Sequence, residues 1–482
     1  MNRLVDDSGY NNLTLGKILQ IENDEVLQGT FCADGLLVWP LIRSIFFRLI
    51  MSDFLYPSQP LLEITRKPPI FSTARKIFRS LAHNLMISPT KNKVLIFATG
   101  SGVISQGEHS FNKYTGYFSD ELFGSSWSIE GIPWEDWPLP RSDGKLSFWF
   151  HQNAYHKIMG RLMVNSSHHS ISRRIISIAC KRAREILNWE IGEKRLEWLI
   201  LKFAQIISAI PWQIQSLRKI FSTIRPRLCL VEEGCYGGMA VFNFVAKQLG
   251  IFVAEFQHGA VASGHDVYNF CHSFLSNPNL KMVLPDCFLS YGSWWEQQIN
   301  VPIKKIVIGN PHRTATLKTL PKIEGVKNVI LVLGEGRETR RYLEVCHSLA
   351  GEVGGRYKVI FRPHPEERDF LIKMPLEGRF SNFKIDFERD IYKSLVLADI
   401  VVSELSTASF ESVGLANRTF IWRTPKSIFN MPISPFDELN SISDLPGAIE
   451  KPSSGKLTSL GQDAIWANNW QENFRKFLTN VL

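Results

Sequence analysis

The sequence lacks most of the features that mark metal-binding, secreted or nucleic-acid-binding proteins. Its 7 cysteines form no C-x-x-C pair, which argues against zinc knuckles and a disulfide framework. The opening stretch MNRLVDDSGY has no apolar segment, so a signal peptide is not expected. Neither a G-x-G-x-x-G spacing nor a Walker lysine is present, which excludes a classical dinucleotide or ATP loop. Zinc-finger and RRM-type motifs are also missing. We therefore expect a cytoplasmic protein with reduced thiols, no metal, no cofactor and no nucleic-acid partner.

Long apolar runs are scarce as well. Residues 35–56 read GLLVWPLIRSIFFRLIMSDFLY, and Arg43, Arg48 and Asp53 interrupt them. A spanning helix needs ~20 mostly apolar residues, and charges near its centre are costly. The pattern predicts an amphipathic helix after Pro40 that packs on the core. The alternative is a helix lying on a membrane surface, which would make the protein peripheral to the inner membrane.

The composition is that of a folded, basic protein. Hydrophobic residues make up 44% and charged residues 21%, values typical of globular chains. The 482 residues are enough for two or three domains. The net charge of +9 favours an anionic partner, such as a nucleotide donor, a phospholipid surface or a nucleic acid.

Strand and helix patterns alternate twice along the chain. Short apolar runs that end in glycine, such as Val94–Ala98 and Val329–Leu333, are typical of parallel strands covered on both faces. The repeated spacing predicts an α/β fold with two Rossmann-like domains facing a cleft. We assign residues 1–90 to a helical N-terminal region, 91–313 to the first domain with a helical insertion at 154–223, 326–462 to the second domain, and 463–482 to a C-terminal helix.

Two segments have a less regular pattern. Residues 314–326 are polar and predict an inter-domain linker. Residues 103–150 are loop-rich and aromatic, and include Tyr114, Trp127, Trp134 and Trp149. Such a segment either lines an acceptor-sugar cleft or provides ordinary core packing.

Candidate catalytic groups follow two strands of the first domain. Glu232 and Glu233 come directly after a buried strand. A desolvated carboxylate there has a raised pKa and can act as general base on an acceptor hydroxyl. His258 stands before a glycine at the end of the next strand, where it can take a proton or bind a phosphate. His265 and Tyr268 follow on the same loop and are predicted to bind the acceptor.

Candidate phosphate-binding groups follow strands of the second domain. Two prolines restrict the backbone around His364 in Arg362-Pro363-His364-Pro365. This imidazole is suited to a donor phosphate, while Arg362 serves either a phosphate or a structural ion pair. A hydroxyl-rich turn then opens a helix, whose free N–H groups attract phosphate. The remaining donor-binding candidates are Ser406, Thr407, Ser409, Glu411 for a ribose, and Gly334 and Gly336 for close backbone approach.

The order E-E-G, Q-H-G, R-P-H-P, S-x-x-S-T-x-x-x-E resembles GT-B glycosyltransferases of bacterial surface-polysaccharide synthesis. Bacterial sialyl- and polysialyltransferases are similar at Glu232-Glu233-Gly234, His364-Pro365 and Ser406-Thr407. CDP-glycerol glycerophosphotransferases are similar at His258-Gly259, at Arg362 to Pro365, and at Ser406-Thr407 with Glu411. Asp-Tyr before the serine pair of the second group is replaced by Glu404-Leu405. The resemblance covers roughly residues 225–425.

The resemblance implies a metal-independent transferase that moves a sugar from a nucleotide donor, CMP- or CDP-linked by preference, to a glycan or lipid-linked acceptor in capsule, O-antigen or lipopolysaccharide synthesis. Glu232 or Glu233 would be the base if the sialyltransferase likeness holds, and His258 if the polymerase likeness holds. Two alternatives are a UDP-sugar 2-epimerase-like isomerase and a non-catalytic protein that binds glycan or nucleotide.

Overall fold

The computed structural model describes residues 13–56, 70–106, 108–131, 141, 145–321, 327–372 and 381–482. Its framework is two separate, fully parallel sheets. The strands of the first sheet are β1 (Val94–Ala98), β4 (Ser126–Glu130), β5 (Leu146–Phe148), β6 (Leu228–Val231), β7 (Phe252–Phe256), β8 (Cys287–Ser290) and β9 (Lys304–Val307). Those of the second sheet are β10 (Val329–Leu333), β11 (Lys358–Arg362), β12 (Phe383–Ile385), β13 (Ile400–Ser403), β14 (Arg418–Trp422) and β15 (Asp437–Leu439).

Both sheets have the strand order of a doubly wound fold. The first runs β5-β4-β1-β6-β7-β8-β9 and the second β12-β11-β10-β13-β14-β15. In each, the chain starts in the middle, works outward to one edge, and then crosses back to the other side of the starting strand. The predicted fold class, two Rossmann-like α/β units with a helical N-terminal region, is confirmed.

Both faces of the first sheet are covered, and successive side chains along a strand enter opposite cores. On β1, Leu95 belongs to one hydrophobic core, while Val94 and Ile96 belong to the core on the opposite face. Alternation of this kind follows from the two-residue period of a strand. The apolar runs in the sequence therefore reflect helices on both sides of each sheet.

The two longest helices of the described residues, of 22 and 32 residues, belong to the first unit. Those up to the end of the first unit are α1 (Leu15–Leu19), α2 (Glu25–Gly29), α3 (Trp39–Leu55), α4 (Ile70–Met86), α5 (Gly116–Glu121), α6 (Phe150–Leu162), α7 (Ser166–Leu187), α8 (Glu193–Ile224), α9 (Ala240–Gln248), α10 (His272–Leu275), α11 (Pro278–Met282), α12 (Ser293–Gln297) and α13 (Pro311–Thr319). The others are α14 (Thr339–Val353), α15 (Arg368–Ile372), α16 (Ile391–Leu395), α17 (Ala408–Glu411), α18 (Pro425–Asn430), α19 (Leu445–Ile449), α20 (Lys456–Leu460), α21 (Gln462–Ile465) and α22 (Trp470–Val481).

The apolar helix α3 is part of the core. Ile42, Phe46 and Ile50 are fully buried. Arg43 is also buried, and its guanidinium bonds to both carboxylate oxygens of Glu22. The core-packing alternative for this segment is confirmed, because the apolar residues of α3 are covered by the protein. Among the described residues, none of the helices combines the length and apolar character needed to span a membrane.

Three expectations about organisation need correction. The described part of residues 103–150 contains more regular structure than expected, namely β4, β5, α5 and a hairpin of β2 (Val103–Gln106) and β3 (His109–Asn112). The polar stretch 314–326 is not wholly a linker, since α13 continues to Thr319. The C-terminal segment is two helices, α21 and α22, instead of one. Trp134 lies outside the described residues.

The two units are joined by more than one connection. Helix α22 returns to the first unit, where Phe474 packs against Phe118 with ring centroids 4.7 Å apart. Gly264 of the first unit donates its N–H to the Asn430 carbonyl of the second. A Cβ at Gly264 would lie 2.1 Å from the Phe429 carbonyl oxygen, so only glycine permits this contact. The carboxyl ends of both sheets are thereby held at one interface.

Candidate functional site

The first half of the site lies where the strand order of the first sheet reverses. This point falls between β1 and β6, and ligands of open α/β sheets bind beyond it. Glu232 follows β6 and is 2% exposed. Its carboxylate accepts from the Thr99 N–H at 2.7 Å and the Ser101 hydroxyl at 3.2 Å, both on the loop after β1. Burial raises the pKa of Glu232, and these donors oppose the rise.

Glu233 differs from its neighbour in having no internal partner. Its φ of 59° is in the left-handed region. This conformation is unfavourable for glutamate, and residues held in it concentrate at functional sites. Among the described residues, no group hydrogen-bonds its carboxylate, which is half-buried. Burial raises its pKa, the nearby His258 lowers it and Glu232 raises it further. Glu233 is thus a carboxylate with a raised pKa that is free to meet a ligand.

A cavity of about 340 Å³ opens beside both carboxylates. Its floor is formed by Phe97, Ala98 and Thr99 at the end of β1, and helices α6, α8 and α9 form its walls. Trp149, from the segment predicted to line an acceptor cleft, is part of the lining. The volume is in the range of small-molecule sites.

His258 is near enough to Glu233 for their charges to interact, and one of its ring nitrogens is unused. Its Nδ1 is buried and has no hydrogen-bond partner among the described residues. Burial lowers the pKa of His258, and the charge of Glu233 opposes this shift. The imidazole is therefore neutral near pH 7, so it can accept or donate one proton.

His265 and Tyr268, the predicted acceptor-binding pair, hold the loop in place. His265 lies 3.3 Å from the Tyr236 hydroxyl and accepts from the Val267 N–H. Burial lowers its pKa to about 4. Tyr268 is 1% exposed and donates its hydroxyl to Glu255 at 2.7 Å. Both side chains have internal partners.

Glu255, within the Q-H-G strand, is a fully buried carboxyl behind the site. Burial raises its pKa from 4.5 to about 7, against hydrogen bonds from Cys235 and Tyr268. The folded state then binds this proton more tightly than the unfolded chain does. Its contribution to stability is complete below about pH 4.5 and is lost as pH rises through about 7.

We expect Glu255→Gln to remove that pH dependence. The substitution loses one accepted hydrogen bond, so its baseline stability falls. The difference between wild type and variant should nevertheless shrink between pH 5 and 8, with a slope of at most about 1.4 kcal/mol per pH unit. Denaturant midpoints across this range measure it, with exposed Glu344→Gln as control. A constant difference at every pH would show that Glu255 is ionised throughout.

In the second unit the R-P-H-P segment packs on the loop after β10. The His364 N–H donates to Glu367 at 2.7 Å, and His364 itself is partly exposed. A Cβ at Gly336 would lie 3.0 Å from His364 Nδ1, and one at Gly334 would lie 2.6 Å from a Glu367 oxygen. The structure thus brings Gly334, Gly336 and His364 together at the carboxyl ends of β10 and β11.

Of the two roles predicted for Arg362, phosphate binding and a structural ion pair, the structure shows the ion pair. Its guanidinium donates to Asp386 at 2.7 Å and to Ser394 at 2.6 Å, and it is 6% exposed. This ion pair ties β11 to α16. Arg362 is therefore committed inside the unit.

The hydroxyl-rich turn after β13 offers one free hydroxyl. Thr407 is exposed, and its side chain makes no cap bond to α17. Ser406 accepts weakly from the Ala408 N–H at 3.3 Å. Ser409 is buried and donates to the Ser406 carbonyl at 2.8 Å, so it stabilises the turn.

Glu411 connects the two halves. Its carboxylate accepts from the Tyr392 hydroxyl and lies 3.5 Å from the Arg313 guanidinium of the first unit. Burial raises the pKa of Glu411, and Tyr392 and Arg313 oppose the rise. Its charge in turn raises the pKa of Tyr114 and Tyr291, both of the first unit. Burial is the main cause of both shifts, and the charge of Glu232 raises the pKa of these two tyrosines as well.

An ion network fills the reversal point of the second sheet. Glu335, Glu338 and Glu404 have carboxylate oxygens within 4.8 Å of one another. The Lys426 ammonium lies 2.9 Å from Glu335 and 3.6 Å from Glu404, and it contacts Glu338. Tyr56 of the N-terminal region reaches the network, with its hydroxyl 3.3 Å from Glu335. Lys426 and Arg341, which pairs with Glu338 and Glu404, together neutralise much of the charge, and Tyr56 links the cluster to the N-terminal region.

The sequence pattern did not single out several residues of this interface. Lys113 acts electrostatically on Glu232 and Glu411, and His312 has its pKa lowered to about 4 by burial and by Lys113. Lys113 lies in the turn between β3 and α5, where no motif marks it. His312 and Arg313 were recoverable, since they follow the helix-capping Asn310-Pro311 at a strand end.

The sequence matches no protein-family model, and none of the curated proteins matches it. Several solved structures share parts of the architecture. UDP-GlcNAc 2-epimerase from Methanocaldococcus jannaschii is 12% identical with a TM-score of 0.43, and the match covers 80% of this chain and 99% of that one. The glycotransferase of kitacinnamycin is 10% identical (TM-score 0.46, 82% and 100% covered). The α,α-trehalose-phosphate synthase from Burkholderia xenovorans is 9% identical (TM-score 0.41, 81% and 100% covered). The function must therefore be argued from this chain's own residues.

Proposed function

We propose that the protein is a glycosyltransferase that moves a sugar from a nucleotide donor to a hydroxyl acceptor, with Glu233 as general base. The observation that carries the proposal is the placement of Glu233. Its backbone is in an unfavourable left-handed conformation, and its carboxylate is desolvated. Among the described residues the carboxylate has no hydrogen-bond partner, and it lines a cavity at the point where the strand order of the first sheet reverses. A base of raised pKa close to a substrate pocket is what deprotonation of a hydroxyl requires.

The chemistry needs one proton transfer and one displacement. Glu233 takes the proton of the acceptor hydroxyl while the oxygen of that hydroxyl bonds to the anomeric carbon of the donor sugar. The bond from that carbon to the donor's phosphate oxygen breaks, and the nucleotide leaves with the electron pair. Glu232, held by Thr99 and Ser101, fixes the backbone from which Glu233 projects. His258 lies beside the base and is its alternative.

The departing phosphate is assigned to the second unit. Thr407 offers an exposed hydroxyl and His364 a partly exposed imidazole, and Gly334 and Gly336 keep the backbone beside His364 open. Donors aimed at developing charge supply a large part of catalysis in transferases. We further propose a CMP- or CDP-linked donor and a role in surface-glycan synthesis, which rest on the motif resemblance alone.

A thermal-shift screen with CMP, CDP, UDP and GDP tests the donor class. We expect a cytidine nucleotide to raise the unfolding temperature more than the others, since ligand at 100 times Kd stabilises by about 2.7 kcal/mol. Thr407→Val with His364→Gln should abolish the shift. A larger shift with UDP would replace the cytidine assignment. Conversion of a sugar nucleotide to an isomer with no acceptor present would replace transfer by epimerisation.

A further inference from the structure

The cavity beside Glu233 has two chemically different ends. The Glu232 and Glu233 carboxylates lie at the strand end, and among the residues that the structure describes they are the only acidic ones in its lining. Lys157, Arg161 and Lys202 also line it, and they come from the helical insertion. A ligand that spans the cavity therefore meets carboxylates at one end and cations at the other.

The separation of the ends follows from the helix that carries two of the cations. Asn153 of α6 is fixed at the strand end, where its amide donates to the Gly131 carbonyl at 3.0 Å. Lys157 and Arg161 are one and two turns further along the same face of α6. At 1.5 Å per residue they lie about 6 and 12 Å from Asn153 along the helix axis.

The three cations have no internal counter-charge. Among the residues that the structure describes, none of them forms an ion pair or a hydrogen bond with the protein. Burial lowers the pKa of Lys202, and the charges of Lys157 and Arg161 lower it further. Like charges gathered without an acid are unfavourable for the empty protein, whereas an anion would be bound by all three.

The wall between the two ends is mainly apolar. Its apolar lining residues are Ile206, Ala209 and Leu217 of α8, together with Met239, Phe242, Trp149 and Phe97. Three further apolar side chains near the cations are exposed to solvent. Ile158, Leu162 and Leu201 are each next in sequence to one of the cations and are 44–72% exposed. A free sugar phosphate would leave all this apolar surface without a partner.

From this arrangement we infer that the acceptor is an amphiphile: an apolar segment fills the cavity, an anionic group such as a phosphate binds Lys157, Arg161 and Lys202, and the free hydroxyl reaches Glu233. The inference rests on the proposed function for the role of the hydroxyl, but the binding of the amphiphile does not depend on turnover. The same chemistry is supplied by a soluble alkyl phosphate and by an anionic lipid.

Binding of octyl phosphate, measured by titration calorimetry below its micelle concentration, is the test. Octyl glucoside lacks the charge and inorganic phosphate lacks the chain. We expect octyl phosphate to bind at least about tenfold more tightly than either, because octyl glucoside makes no charged hydrogen bonds to the cations and inorganic phosphate buries no apolar surface. Equal binding of inorganic phosphate, or of octyl glucoside, would overturn the inference.

Two variants test whether octyl phosphate binds in the cavity and to its three cations. Neutralising the cations together (Lys157→Gln, Arg161→Gln, Lys202→Gln) should weaken octyl phosphate binding by about tenfold or more. The matched control neutralises Arg174, Lys194 and Lys219, which are exposed on the same helical insertion and do not line the cavity. Ala209→Phe should block the cavity, with thermal unfolding used to confirm that it folds. Unchanged binding in either cavity variant would overturn the assignment.

Two further measurements distinguish a lipid surface from a soluble alkyl phosphate, and the proposed function from the amphiphile site. Vesicles of phosphatidylcholine with phosphatidic acid should bind in competition with octyl phosphate. Vesicle binding without octyl phosphate binding would place the anion on the outer helix faces and overturn the inference. Glu233→Gln should bind octyl phosphate normally. Octyl phosphate binding with no transferase activity would refute the proposed function alone, while activity without such binding would refute the amphiphile site alone.

Discussion

Replacing Glu233 by glutamine should reduce transfer by about 100- to 10,000-fold, the range over which a positioned general base contributes. The change removes the proton acceptor and keeps the side chain's size. The measurement is release of free nucleotide from a sugar nucleotide in the presence of alkyl glycoside acceptors, resolved by chromatography. Because burial raises the pKa of Glu233, the wild-type rate should climb as pH rises through that raised pKa and then level off.

The adjacent carboxylate provides the matched control. Glu232→Gln keeps an oxygen that can accept from the Thr99 N–H, and its amide N–H can donate to the Ser101 hydroxyl, so it should retain far more activity than Glu233→Gln. His258→Gln in the same assay tests the alternative base. Should Glu232→Gln or His258→Gln prove the more damaging change while Glu233→Gln stays active, the base is that residue and Glu233 has a positioning role.

Arg43→Met should lower the free energy of unfolding by about 3–5 kcal/mol, the cost of breaking a buried pair on one side. The Arg43 guanidinium bonds to Glu22 and to the Asp266 and Asn269 carbonyls, on the loop that carries His265. Its loss leaves the fully buried Glu22 carboxylate without a counter-charge. Chemical denaturation measures the effect.

A second variant separates the charge from the packing. Adding Glu22→Gln to Arg43→Met removes the uncompensated charge and should recover part of the lost stability. Arg173→Met, whose pair with Glu197 is exposed, should change stability by no more than about 1 kcal/mol. If Arg43→Met were as mild as this surface control, the N-terminal helices would not be anchored to the site through this pair.

The sequence predicted the fold well wherever strands were buried on both faces. β1, β6 and β10 stand where the apolar runs placed them, and each ends at a residue of the site. β4 was missed, because its Ser-Trp-Ser-Ile-Glu sequence is half polar although every residue in it is buried. Local patterns do not report burial created by distant helices.

The site itself was predictable only within each unit. The carboxylate pair and the His364 loop follow strands, so their placement follows from the order of a parallel sheet. Which residues meet across the interface depends on contacts between distant parts of the chain. Glu411 with Arg313 and Tyr56 with Glu335 are such contacts, and no spacing rule reveals them. Arg362 shows the same limit, since both of its alternatives fit the sequence.

A nucleotide bound on the second unit is expected to face the Glu233 carboxylate of the first. Hydrogen–deuterium exchange with and without the most stabilising nucleotide tests this placement most directly. Protection should appear in residues 334–338, 364–367 and 404–411, at the carboxyl ends of the second sheet. Protection confined to residues 94–313, with the second unit unchanged, would contradict the claim.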